Sequence, residues 1–195
     1  TYFYIPNELY YSFGPQLVKQ INNQGGMEAI NEALYQLPTA EQIYEPEKYF
    51  SGEVYENVII EDLIVADYNL VKEGTIGALD IPYILQDTIG RGASVTAAIG
   101  LGGGAWKDYV NSSQQLMMSL KMTGDTPEDL EEIYNAYIAW ANAQQRFTSV
   151  ESFEGGTLYI GDTNVWISND GTYVRMLLTQ DLEIFNEIIT QMSRF

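Results

Sequence analysis

The sequence predicts an α+β domain: a helical N-terminal part, then a small antiparallel meander sheet packed with a long helix and a C-terminal helix. Three observations carry this. Leu9, Phe13, Leu17 and Ile21 recur every fourth residue, the spacing of one helix face. A strongly capped helix at 127–147 separates two groups of short β-rich runs. Gly161-Asp162 and Asn169-Asp170-Gly171 supply hairpin turns rather than the long crossovers of a parallel sheet. At 195 residues the chain fits a single domain over 1–195, with sub-parts at 1–62 (helical) and 63–195 (sheet plus helices).

The first apolar stripe spans residues 7–22, and Gly14-Pro15 should kink or restart it. Gly25-Gly26 break the chain, and a second helix runs through Ile30, Ala33, Leu34 and Leu37 to end before Pro38. Thr39 caps a short turn that Pro46 closes. Val58-Ile59-Ile60 reads as a short strand, and 68–71 as another. Residues 75–88 read as mostly helical, with Pro82 a complication, and 93–99 as a helix of small residues. A glycine-rich turn leads to an antiparallel pair at 106–111 and 116–122. Thr126, Pro127 and Asp129 form a cap, first position and capping box for the long helix. Strands at 157–160, 164–168 and 173–178 follow, and Asp181 caps a last helix faced by Leu182, Phe185, Ile188, Ile189 and Met192.

Composition excludes much chemistry. The chain has no histidine and no cysteine, hence no imidazole base, HExxH zinc site, thiolate nucleophile or disulfide. No catalytic, cofactor-binding or metal-ligating residue is assigned in it. Hydrophobic residues make up 46% of the chain, enough for a core. Acids outnumber Lys plus Arg by 27 to 9, a net charge of −18 that repels nucleic acid and anionic membranes. No apolar run approaches the about 20 residues of a membrane span, so no membrane insertion is expected. Thr1 is not an initiator methionine and no leader follows it, so the chain is expected to be a processed product or a piece of something longer. Acidity, tyrosine richness and scarce lysine point to an extracellular or cell-envelope location.

Local motifs divide between site and scaffold. Gly100-Leu101-Gly102-Gly103-Gly104 lacks the GK[ST] ending of a phosphate loop and reads better as a helix-to-strand turn. The carboxylates of 125–132 suit a helix N-terminus, and Asp162-Thr163-Asn164 lacks the glycine and glutamate of a calcium loop. Glu41, Glu45 and Glu47 are candidates for carboxylate acid/base work, which requires burial and a raised pKa. Aromatics crowd the first 55 residues, either roofing a core or offering a binding surface.

Three stretches taken together carry a family resemblance. They are Tyr11-Ser12-Phe13-Gly14-Pro15 with Gly25-Gly26; Pro38-Thr39-Ala40-Glu41-Gln42-Ile43-Tyr44-Glu45-Pro46-Glu47-Lys48-Tyr49; and Ala97-Ala98-Ile99-Gly100-Leu101-Gly102-Gly103 leading to Tyr109. In this order they resemble the C-terminal half of a group of secreted prokaryotic gluzincin-like metallopeptidases, whose zinc-holding HExxH helix and later glutamate lie upstream. The chain departs from that pattern at Glu45, where the group has His, and at Leu101 and Gly104, where it has Trp and Asp.

The resemblance implies a non-catalytic domain that supports and walls a substrate cleft. Its partner would be the upstream zinc-bearing domain of the same parent chain, with zinc in the parent and none held by these residues. Tyr10, Tyr11, Glu41 and Tyr49 are the candidate cleft-side residues. Two other readings stand beside it: a free-standing acidic module binding a peptide or cell-surface polymer, and a carboxylate-based hydrolase.

Overall fold

The computed structural model describes residues 9–192. It shows an α+β fold built on one seven-stranded antiparallel sheet in the order β1-β2-β3-β7-β6-β5-β4. The strands are β1 (Asn69–Thr75), β2 (Leu101–Val110), β3 (Leu116–Gly124), β4 (Phe147–Phe153), β5 (Gly156–Gly161), β6 (Asn164–Asn169) and β7 (Val174–Thr179). Two meanders, β1-β2-β3 and β4-β5-β6-β7, join where β3 pairs with β7, with Lys121 opposite Arg175.

Side-chain alternation gives this sheet two buried faces. Val165, Ile167 and Met176 point into one core, which α4 (Asp80–Ile89), α5 (Arg91–Ile99) and α6 (Pro127–Asn142) cover with Ile81, Leu85, Ala97, Ile133 and Tyr137. Trp166 and Leu177, their chain neighbours, point into the other core, against α7 (Phe185–Met192) and the segment carrying Leu63, Val65 and Tyr68. Burying a side chain such as Ile133 or Ile188, both fully enclosed, contributes about 2 kcal/mol.

Local signals place the helices. Thr126 Oγ1 accepts from the Asp129 N–H and Asp129 Oδ2 from the Thr126 N–H, each at 3.1 Å, which completes the capping box of α6. Pro82 falls in the first turn of α4, where a missing N–H costs no intrahelical bond. The long helix ends at Asn142, short of the expected 147, and Phe147–Phe153 instead forms the edge strand β4. The expected strand at 58–60 makes no ladder. Val58 and Ile60 are buried and Ile59 exposed, so the run keeps strand-like alternation while lying unpaired over the body.

The N-terminal part forms a helical arm. A π-turn (Leu9–Phe13) leads into α1 (Gly14–Tyr35), which kinks at Gly26 (φ 63°), then α2 (Ala40–Tyr44) and α3 (Pro46–Ser51). Its own core is small: Leu17, Ile21 and Ala33, with Ile30, Ile43, Tyr49 and Phe50 packed against them.

Candidate functional site

The junction between arm and body gathers the most perturbed carboxyl among the described residues. Thr39 starts α2 in extended conformation, its Oγ1 accepting from the Gln42 N–H at 3.2 Å. Gln42 Oε1 accepts from the Thr39 N–H at 3.1 Å, and Gln42 Nε2 donates to the Glu53 carbonyl at 2.8 Å. One amide therefore caps a helix and holds the chain that leaves α3. Gly52 ends α3 with a left-handed φ of 75°, and the Glu53 N–H then donates to the Lys48 carbonyl at 3.1 Å. This reversal returns the Glu53 side chain to Lys48.

Lys48 is the centre of the junction. Its Nζ donates to Glu41 Oε1 at 2.8 Å and to the Ile99 carbonyl at 2.6 Å. Glu53 Oε1 lies 3.1 Å away, and Asp125 Oδ2 is a further partner. Asp125 comes from the turn between β3 and α6, which needs glycine: a Cβ on Gly124 would fall 2.4 Å from the Leu130 nitrogen. Arm and body thus meet on one ammonium.

Burial pushes the Glu41 carboxyl up to about 8; the Lys48 hydrogen bond opposes this, while the neighbouring Asp125 and Glu53 carboxylates add to it. Burial alone would lower Lys48, but hydrogen bonds to Asp125, Glu41 and Glu53 outweigh it and raise the ammonium above its ordinary value. Glu41, Glu53 and Asp125 offer oxygens within 4.8 Å of one another, a spacing that could hold a cation. Lys48 supplies that cation. A carboxyl near 8 has the protonation range of an acid/base catalyst, yet Glu41 is buried and its Oε1 is committed to Lys48.

Beside the cluster lies a groove of about 500 Å³, walled by Leu37, Gln42, Tyr49, Phe50, Glu53 and Tyr55 among others. Tyr49 and Phe50 meet edge to face at 5.3 Å. Tyr55 is pinned by its hydroxyl, which accepts from the Gly104 N–H at 2.7 Å and lies 3.0 Å from the Ile76 carbonyl. Leu37 and Val54 stand open at the rim, 75% and 81% exposed.

The sequence-predicted residues separate here. Tyr49 lines the groove, and Glu41 sits behind it in the ion cluster. Tyr11 is 79% exposed on the π-turn and is not among the groove's lining residues. The Tyr10 side chain lies outside the described residues. Sequence reasoning missed Lys48, Glu53, Tyr55 and Asp125 as parts of one site. A signal did exist for Lys48: only it and Lys19 carry positive charge in residues 1–71, and Lys48 stands among Glu41, Glu45, Glu47 and Glu53.

The glycine run has a structural task at the same junction. Gly100 caps α5, while 102–104 lie inside β2 rather than in a turn. A Cβ on Gly103 would come within 2.0 Å of the Glu56 carbonyl oxygen, and the Glu56 N–H donates to the Gly102 carbonyl at 2.6 Å. Bare backbone there lets the chain leaving the groove cross the sheet closely.

No known protein family matches this chain, and neither curated proteins nor solved structures give a match.

Proposed function

We propose that this chain is a non-catalytic accessory domain that walls a substrate cleft in a larger secreted protein. The observation that carries the reading is the surface of the helical arm. Leu34, Tyr35 and Leu37 are 67%, 94% and 75% exposed, and Tyr11, Met27 and Val54 are also open, around a core of only a few residues. So many open apolar side chains around so small a core suit a face that another domain covers. The body beneath also exposes apolar side chains, Ile59, Ile64, Leu116 and Val150 among them, but packs two cores of its own, where the arm has one of three buried residues.

The resemblance to gluzincin-like metallopeptidases supplies the partner: the upstream zinc-bearing domain of the same parent chain. In that arrangement the arm seats against the catalytic half, and the groove beside Lys48 forms part of the cleft wall. Zinc belongs to the parent and not to these residues, and the address is extracellular or the cell envelope.

Hydrogen exchange on the parent protein and on this chain alone tests the reading. Amides of α1 should gain protection in the parent, where the arm is covered. Equal exchange in both would overturn it.

A second reading, a free-standing acidic binding module, draws support from the groove, whose lining residues all fall within 36–55 of this chain. On that reading the groove binds its ligand with no upstream domain present.

A further inference from the structure

We propose that the groove bounded by Leu37, Tyr49, Phe50 and Tyr55 takes an extended peptide in which a large apolar side chain stands next to a lysine or arginine. From the proposed function this takes only that the ligand is a peptide; the preference for this residue pair comes from the groove itself.

Its shape and polarity argue the apolar half. About 500 Å³ is room for a few side chains, and Leu37, Tyr49, Phe50, Val54 and Tyr55 bring aromatic rings and aliphatic chains to walls shared with Gln36, Thr39, Gln42 and Glu53. Two of the polar side chains on those walls, Gln42 and Tyr55, are already engaged. Gln42 spends its amide on Thr39 and Glu53, and the Tyr55 hydroxyl is held by Gly104 and Ile76. The ring faces of Tyr49, Phe50 and Tyr55 beside Leu37 and Val54 suit an aliphatic or aromatic side chain.

Charge argues the basic half. Glu53 lines the groove, and its carboxylate turns toward a single lysine that Glu41 and Asp125 also share. One ammonium against the carboxylates of Glu53 and Asp125, with the Glu41 carboxyl beside them, leaves the inner end of the groove short of positive charge. The deficit is not met elsewhere in the arm, whose other cation is Lys19 on α1, within a chain of net charge −18. A guanidinium or ammonium brought by the ligand would pair with Glu53 and lie against the neighbouring tyrosine faces. An acidic ligand would meet repulsion at every approach.

The experiment titrates the full chain with fluorescein-labelled hexapeptides of otherwise Gly-Ser sequence, one containing Leu-Arg, one Leu-Glu and one Gly-Arg, followed by polarisation at low and physiological salt. The Leu-Arg peptide should bind, and either replacement should weaken it about tenfold or more, the loss expected for a charge-assisted contact or a buried leucine. Binding should fall as salt rises. Glu53→Gln should abolish the preference for Arg over Glu. Leu37→Ser, at an exposed position that leaves the fold intact, should weaken Leu-Arg and leave Gly-Arg unchanged. Equal binding of all three peptides by wild type, or no binding of any, overturns the proposal, as does displacement of Leu-Arg by a neutral oligosaccharide. Failure here with α1 still protected in the parent removes this inference alone. Success with α1 unprotected removes the cleft-wall reading and keeps the groove.

Discussion

Lys48 on α3 donates from Nζ to the carboxylate of Asp125, 77 positions later in the chain, and this contact ties the helical arm to the sheet-bearing body. The same nitrogen also takes the Ile99 carbonyl at the C-terminal end of α5, so two body elements converge on one side chain of the arm. The short helices α2 and α3 pack Ile43, Tyr49 and Phe50 into the arm core, and that ammonium adds a polar tie from them to the body. The groove inherits its geometry from the clasp, because Glu53 belongs to both.

Removing the ammonium should therefore cost more than a surface ion pair would. In Lys48→Met the side-chain stem survives, but Glu41, Glu53 and Asp125 keep oxygens within 4.8 Å of one another with no cation between them. Breaking a largely buried pair by deleting one partner costs about 3 kcal/mol. Urea unfolding should show that loss, and limited proteolysis should cut first near α2 and α3. A variant as stable as wild type would mean the clasp is incidental.

Glu41 makes the clasp sensitive to pH in a definite direction. Its carboxyl titrates near 8 in the fold against an ordinary value of 4.5, so the native state holds a proton that the unfolded chain has lost. The sign follows from linkage: this contribution to stability is complete below about pH 4.5 and is lost as pH rises through about 8. Glu41→Gln removes the titration and keeps the shape. Unfolding midpoints measured from pH 5 to 9 should fall for wild type relative to Glu41→Gln, the gap widening toward pH 9. Two parallel curves would show that the carboxyl is already ionised at pH 5.

What the sequence revealed and what it hid divide along range of interaction. The caps at Thr39 and Thr126, the restart at Gly14 and the kink at Gly26 are local, and each is readable from the few residues that make it. Strand β4 was hidden because Gln144 and Arg146 are good helix formers with no Gly or Pro to stop them, and an edge strand with Val150 exposed shows no buried alternation. The run 58–60 was legible as extended and alternating, but pairing depends on a neighbour the run itself cannot name. The Lys48 cluster was hidden for the same reason. Glu41, Lys48 and Glu53 lie close in sequence, whereas Asp125 and Ile99 arrive only through the fold.

The close crossing over β2 gives a prediction with its own control. Gly103→Ala would place a methyl 2.0 Å from the Glu56 carbonyl oxygen, so the chain leaving the groove must move. Overpacking against backbone costs about 1–3 kcal/mol, and the Glu56 to Gly102 hydrogen bond should go with it. Gly92→Ala, in α5 with nothing within 4 Å, should instead stabilise by about 0.5–1 kcal/mol. Thermal unfolding of the two variants should therefore move in opposite directions, and equal shifts would contradict the crossing.

The exposed face of the arm separates stability from association. Tyr35 is 94% and Tyr11 79% exposed, so Tyr35→Ala and Tyr11→Ala should change the stability of this chain by less than about 0.5 kcal/mol. If another domain covers the arm, the same substitutions remove aromatic area from that contact, and a truncated aromatic in a well-packed interface costs about 2 kcal/mol or more of binding. The readouts must be taken together. Unchanged melting of the isolated chain combined with faster exchange of α1 in the parent is the expected pair of results. Unfolding of the isolated chain would instead assign the tyrosines to a core. If neither quantity changes, the covered-arm reading of Tyr11 and Tyr35 fails, leaving their exposure without an occupant.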